Sequence, residues 1–576
     1  MKDIIEVIQI GQSLSKKVKK EAVMDLTRRD FAKSMAVVGS GIMAFGVLSA
    51  CDTDEPTETT TPGPTLQPLP ALKFQFSDTA GNRTIAQFLQ GQMTQNMGIN
   101  ITLEPMESAA FQKFVNEESH TWAWFGWGAD YPDPENFLDS VFMTGAGNNH
   151  TLYSNTQFDT LMTNALKELN NTTRLQLLDQ AHRIIIDDMP MVFMFNRERF
   201  NLVKPALRPS LKPTGQDGQI MGDRFFRQVS MPNNKLTVNS SGDPPTLDTN
   251  AASWASSLSC LYQMYDGLFS FDQTLNLQPM CATELPTTAN GGISADGKTY
   301  TFKLKSNVTW SDGQPVTAQD FEYSVKRMLA PATAAEYSFL YLAIAGAEAF
   351  NAGTGPESAV GVKALNATTL EVKLAQAQPT FVLRMALWPV YPVRRDVIES
   401  KGADAFLPPN IIGNGPFMLT EWVPLDHMTF KVNPSYWGTK PTLTEILFRN
   451  IPDPQASLAA YQNDELDMSG VPVGTEAATM ANAALSPQVF RNSDLVTFGF
   501  QFNVKKAPFD NKKVRQAFSC AIDRDTFINN VRGGVGRATT SWVPPGMPGF
   551  DANLGSDFKF NVAKAKQLLA EGGYKV

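Results

Sequence analysis

Side chains suited to catalysis or metal binding are few in this 576-residue chain, which holds four His and four Cys. His120, His150, His182 and His427 are scattered, and neither CxxC nor HExxH spacing occurs, so no metal site is expected. There is no GxSxG elbow, no glycine-rich loop between strand and helix, and no His in a triad context. The four His are therefore expected at the surface or in packing, and no cofactor is expected. Cys260 lies in Leu258-x-x-Leu261-Tyr262 and Cys520 in Val514-x-x-x-Phe518-x-x-Ala521-Ile522. Both spacings are helical and apolar, which predicts buried core thiols, with a Cys260–Cys281 bridge as the alternative.

The fourth cysteine, Cys51, has a different setting. Thr27-Arg28-Arg29-Asp30-Phe31-Ala32-Lys33 precedes an apolar run from Met35 to Ala50. That run is shorter than the roughly 20 residues needed to span a bilayer, so it reads as an export signal over 1–50. The paired arginines resemble a twin-arginine signal, which implies export after folding. Leu48-Ser49-Ala50-Cys51 resembles a lipobox, with Cys51 lipidated as the anchor to a membrane. Translation from Met24 would keep the whole signal. Residues 51–71 are Thr-, Pro- and acid-rich and are expected to be a flexible stalk. The location is then extracytoplasmic, in the periplasm or on the outer face of the cell membrane.

The elements that must position any site follow from composition and period. Hydrophobic residues make 43% of the chain, enough to offset chain entropy and exclude wholesale disorder. Residues 1–50 hold eight Lys/Arg and five Asp/Glu, leaving 41 basic and 52 acidic residues in the rest. An acidic body is a poor partner for phosphate backbones, so nucleic-acid binding is excluded. Period-2 runs at Tyr300-x-Phe302-x-Leu304, Leu370-x-Val372-x-Leu374, Met428-x-Phe430-x-Val432 and Phe498-x-Phe500-x-Phe502 predict strands. Asn561 predicts a helix start and Gly572-Gly573 its stop, and Ser311-Asp312-Gly313 predicts a turn. The mixture is α/β or α+β in more than one lobe, without an internal repeat.

Several local motifs are more specific. They are Asp243-Pro244-Pro245-Thr246-Leu247-Asp248, Tyr265-Asp266-Gly267-Leu268, and the stretch from Trp310-Ser311-Asp312-Gly313 to Asp320-Phe321. Gly413-Asn414-Gly415-Pro416-Phe417, Pro508-Phe509-Asp510, Val514-Arg515-Gln516-Ala517 and Ala521-Ile522-Asp523-Arg524 follow. With Trp127-Gly128-Ala129-Asp130-Tyr131-Pro132-Asp133-Pro134, these resemble the extracellular solute-binding proteins of family 5, the peptide receptors of ABC importers. The resemblance covers essentially all of 72–576. It implies a two-lobed α/β fold of the periplasmic-binding-protein kind (class II, with an extra subdomain in the first lobe).

Motif order departs from the family. There the WGADYPDP motif comes late, after a helix ending like Glu571-Gly572-Gly573-Tyr574; here it comes first. The chain thus resembles a circular permutant, with Ser230–Asn234 joining the old ends. A fusion or assembly artefact of two neighbouring gene copies is the alternative, and a domain-swapped dimer a third; a monomer is expected. Ala71 and Val576 should then lie close together. The expected division puts part of the second lobe at 72–195 and a return to the first lobe at 196–230. The first lobe with its subdomain follows at 231–490, and the rest of the second lobe at 491–576. Met191–Asn196 and Phe498–Asn503 are expected to cross between lobes.

The resemblance also implies a site. Asp130 would pair with the ligand's α-ammonium, because a buried cation needs a partner. Main-chain groups at Gly126 and Gly128 would pair with an extended peptide as an added strand. Trp127 and Tyr131 would also contact the ligand, and Ser253, Trp254 and Ala255 would face it from the first lobe. Alternation along Trp122, Trp124, Phe125 and Trp127 would send some aromatics to the core and others to the cleft. The implied partners are a peptide ligand and the permease and ATPase subunits of an importer, and the protein would not be an enzyme. Other family ligands (nickel chelates, haem, sugars) and an exported enzyme are the competing classes.

Overall fold

In a computed structural model, residues 66–211, 222–240, 242–472 and 474–575 are described, all within one unit, Pro64–Val576. Cys51 and the export signal lie outside the described residues. No described helix is long and apolar enough to cross a membrane.

The backbone of the molecule is an eleven-stranded mixed sheet. Strands β1 (Gln67–Pro68), β2 (Leu72–Ser77), β3 (Ile101–Met106), β4 (Trp122–Gly128), β5 (Met191–Val203) and β6 (Lys235–Asn239) are its first half or lie beside it. Across the large sheet the order is Phe417–Val423, His427–Val432, Glu445–Arg449, β6, Met468–Gly470, β5, Val489–Phe502, β4, β2 and β3. Arg537–Ala538 pairs with β5 off this path. The four period-2 runs fall on strands Thr299–Lys303, Thr369–Lys373, His427–Val432 and Val489–Phe502, with Leu304 and Leu374 one residue beyond theirs. Asn561 caps the helix Val562–Glu571 by accepting from Lys564 N, and Gly573 sits at a φ of 86° just beyond it.

Four apolar cores flank the sheet. The largest takes Val203, Leu207, Phe226, most buried residues of 236–448, and Phe490. Two others, one on each face of β4, are built from 72–195 and 495–569. The fourth gathers Phe200, Leu202, Tyr461, Leu466, Val489 and Val535. The molecule is thus a two-lobed α/β structure held together by two long strands. Those strands, β5 and Val489–Phe502, pair antiparallel from Leu202 opposite Val489 to Met191 opposite Gln501.

Two expectations need correction. Met191–Asn196 and Phe498–Asn503 do not span the gap; their side chains fill the second-lobe cores. The passage between lobes is the polar continuation of the same strands, Arg197–Arg199 beside Asn492–Asp494, where the register shifts. Apolar side chains have a core to fill, whereas a joint between cores has solvent on its flanks and tolerates charge. Residues 66–71 are likewise not stalk. Gln67 and Pro68 pair in parallel with Tyr574 and Lys575, Gln67 N donates to Gly573 O at 2.8 Å, and Leu69 packs on the core. Val576 lies outside the described residues.

Cys260, Cys281 and Cys520 are buried and form no disulfide among the described residues. His120 and His182 are buried, and burial pushes both imidazoles down to about 4.

Candidate functional site

Asp133 starts the helix Pro134–Phe142: its carboxylate accepts from Glu135 N at 3.0 Å, and Pro134 takes the first turn, where its missing N–H is harmless. That start brings Asn136 back over Asp130. Asp130 N donates to Asn136 Oδ1 at 3.0 Å, and Asn136 Nδ2 donates to Asp130 Oδ2 at 2.9 Å. Trp127 Nε1 also donates to Asn136 Oδ1, at 3.2 Å. From the first lobe, Tyr337 lies near enough to the Asp130 carboxylate to favour its charged form. Burial pushes the Asp130 carboxyl up to about 6, against the Asn136 bond, the Arg384 charge and Tyr337. No described Lys, Arg or His forms an ion pair with it. Asp130 is thus a half-buried carboxylate steadied by the neutral Asn136 amide, in a setting that favours a cationic partner.

Directly beside it lies a closed charge clamp. Arg174 makes a bidentate pair with Asp133, at 2.9 and 2.5 Å, and reaches Glu135 at 3.5 Å. Arg384 Nη2, from the first lobe, donates to Glu135 Oε1 at 2.9 Å and to the Tyr131 hydroxyl at 3.1 Å. Tyr131 and Thr380 hydroxyls also donate to Glu135, at 3.2 and 2.8 Å. None of the four charged side chains is more than 7% exposed. Tyr131 itself is buried in the first-lobe core. Its hydroxyl bonds to Glu135 and Arg384.

The aromatic run is packing on both faces of β4. Trp122 is buried and Trp124 stacks on Phe498 at 5.6 Å on one face, while Phe125 and Trp127 pack on the opposite core. A Cβ on Gly126 would sit 2.3 Å from the Phe498 ring, so only glycine keeps that stack. Ala129 N donates to Leu495 O at 2.9 Å, with Gly128 opposite Val496 and Gly126 opposite Phe498. Antiparallel alternation then turns the N–H and C=O groups of Gly126 and Gly128 away from that strand. On that other side β2 meets β4 only at Ala123, so among the described residues no strand covers the edge at Gly126 and Gly128.

Trp254, 65% exposed, precedes the helix Ala255–Met264. Trp254 and Ala255 line a cavity of about 760 Å³ with Asn239, Asp243, Ser259, Met468 and Arg199, whereas half-buried Ser253 and Asp130 do not line it. The structure thus groups Asp130 with Trp127 and the glycine edge, and Trp254 with Ala255. Asn136, Tyr337 and Arg384 were missed as site residues. Asn136 stood inside the quoted motif, but Tyr337 and Arg384 lie more than 200 positions from Asp130 and carried no local signal.

The family of bacterial extracellular solute-binding proteins, family 5 Middle, matches residues 53–149 and 276–576. The chain is 32% identical over 342 residues to the oligopeptide-binding protein OppA of Bacillus subtilis (strain 168), covering 58% of this chain and 62% of that protein. It is 33% identical over 296 residues to the periplasmic oligopeptide-binding protein OppA of Salmonella typhimurium, covering 50% and 54%. The chain therefore spans between half and two thirds of the length of these relatives. Among solved structures, Haemophilus influenzae OppA in complex with RPPGFSPFR is 27% identical, covering 52% of this chain and 58% of that one, with a TM-score of 0.44. The family match takes in well over half of the residues, and the chain belongs to the bacterial extracellular solute-binding proteins of family 5.

Proposed function

We propose that this chain is the extracytoplasmic binding component of an ABC importer, tethered through Cys51, which captures peptides between two closing lobes and delivers them to a permease with its ATPase. The observation that carries this reading is Asp130, a half-buried carboxylate held by the neutral amide of Asn136, with Tyr337 of the first lobe nearby and without an ion-pair partner among the described residues. A peptide's α-ammonium would complete it. The uncovered edge at Gly126 and Gly128 supports backbone pairing with an extended chain, which is tolerant of side-chain sequence. Trp254, Ala255 and Ser253 face the ligand from the first lobe, and closure turns on the polar joint of the two long strands. The relatives' names, which specify oligopeptide binding, support the same class.

Asp130→Ala should weaken binding of tri- to pentapeptides by on the order of 10²–10³-fold in calorimetry, as expected when one member of a buried charge pair is removed. Unchanged affinity would refute the assignment. We also propose that the segment order is a permutation within one chain, supported by motif order and by the pairing of 67–68 with 574–575. A chain recut at Ser230–Asn234 and joined from Lys575 to Leu66 should keep its peptide affinity within a few-fold.

A further inference from the structure

Two loops reach from one lobe onto the other beside the charge clamp. The first is the tip of a hairpin whose strands, Phe269–Phe271 and Leu277–Pro279, belong to the first lobe, with Phe269 and Phe271 buried in its core. At that tip Leu275, half-buried, packs instead on the second-lobe core that holds Trp542 and Met547. It also borders a cavity of about 550 Å³ with Pro132, Met547 and Phe550. The leucine is therefore seated against the second lobe without being enclosed by it.

Asp272 builds the turn that presents it. Its Oδ1 accepts from Thr274 N at 2.8 Å, from Thr274 Oγ1 at 2.7 Å and from Asn276 N at 3.0 Å, while Leu275 N donates to Asp272 O at 3.0 Å. None of these bonds uses the leucine side chain. The turn holds Leu275 at a φ of 67°, a left-handed conformation that suits Gly or Asn far better than a residue branched like leucine. What the leucine adds over those residues is its contact with the other lobe.

The second loop runs the opposite way. Leu169, between the second-lobe helices Thr156–Ala165 and Asn171–Asp188, lies over a first-lobe turn at Gly297. A Cβ added at Gly297 would sit 2.7 Å from Leu169 Cδ2 and 3.3 Å from Ala377 Cβ. Leu169 is still 43% exposed, so it too is seated without being enclosed. Pro132 and Ala377 are each three residues before a member of the clamp, Glu135 and Thr380, so both leucines sit close to the Glu135 bonds. The clamp fixes the register of the lobes but drives their closure weakly, because parting returns its charges to water. Apolar contact favours the closed arrangement in proportion to the area it removes from water.

We propose that Leu275 is a latch of the closed form and Leu169 a weaker second catch, which set how long the lobes stay shut rather than which ligand they hold; this rests on the closing-lobe reading above. The test is single-molecule fluorescence transfer on the full-length protein, labelled through Lys113→Cys in the second lobe and Glu399→Cys in the first, with tri- to penta-alanine as probes. The wild-type chain should show two transfer states, with peptide lengthening the dwell in the closed one. Leu275→Asn, which suits the left-handed backbone, should shorten that dwell about 3- to 10-fold, the order expected for withdrawing a half-buried leucine. Its closing rate should stay within about twofold and its unfolding midpoint should not fall. Leu169→Asn should shorten the dwell about two- to threefold, and Leu275→Met should keep most of it.

An unchanged closed dwell in Leu275→Asn overturns the latch while leaving closure intact. A lowered unfolding midpoint in that variant, together with an unchanged dwell in Leu169→Asn, also overturns it, because the leucine would then serve the fold and not the joint. A wild-type chain that shows a single transfer state at every peptide concentration defeats the closing-lobe reading itself, and the latch with it.

Discussion

The two charged regions of this molecule use the same side chains to opposite ends. Beside Asp130, Arg174 and Arg384 face Asp133 and Glu135 with every charge buried and matched. At the strand joint, four arginines share Asp494 and Glu198, and the arginine side chains are 39–45% exposed. Where water is excluded, each charge must be answered on the spot, so the network can only fix geometry. Where water still reaches, charges need not be matched one to one. Asp130 stands between these cases, half-buried beside the dry region and answered by a neutral amide.

The sharpest way to break this contrast is Glu135→Ala, which leaves Arg384 and Arg174 short of a buried partner. It should cost about 3–5 kcal/mol in urea unfolding. A loss below about 1 kcal/mol would mean the clamp is wetter than its geometry indicates. Asp494→Ala should cost less, about 1–3 kcal/mol, since its arginines can turn to solvent. A larger loss than for Glu135→Ala would invert the comparison.

Acidity separates the two regions differently. With its carboxyl near 6, Asp130 is protonated at pH 5, so affinity for an amine-bearing peptide should fall about tenfold between pH 7 and pH 5. Its effect on stability has the opposite sign. The folded state raises this carboxyl above its unfolded value, so folding takes up a proton, and acidification from about 6 toward 4 stabilises through this group. Asp130→Asn should remove both trends, which titration calorimetry and pH-dependent unfolding can follow in parallel. Glu198 moves the other way: against partial burial, Arg491 and Arg537 hold it below the usual carboxylate range. The smallest effect is expected at the cavity mouth. Trp254→Ala should change stability by no more than about 0.5 kcal/mol, because the ring is largely exposed, while peptide affinity drops.

Much of this was legible along the chain. Strand periods, the Asn561 cap, the Gly573 stop and the helical settings of Cys260 and Cys520 all depend on neighbours within a few residues, and those neighbours are adjacent in the sequence. Asp130 was legible through its motif. The extent of the stalk was misread, because Gln67–Pro68 acquires strand character only by pairing with Tyr574–Lys575, about 500 positions away. The crossing segments were misread for a related reason. Apolar richness at Met191–Asn196 and Phe498–Asn503 signalled burial, but not which core would receive it.

Local periodicity and turn chemistry were enough to specify elements, since backbone preference and alternation are short-range effects, whereas the candidate carboxylate came from a motif resemblance. Which charges meet is a long-range matter. Arg384 closes on Glu135 from 249 residues away, and Tyr337 reaches Asp130 from the other lobe. Only packing of the two lobes brings these groups out of water together, and that desolvation turns Asp130 from an ordinary surface acid into a candidate ammonium receptor.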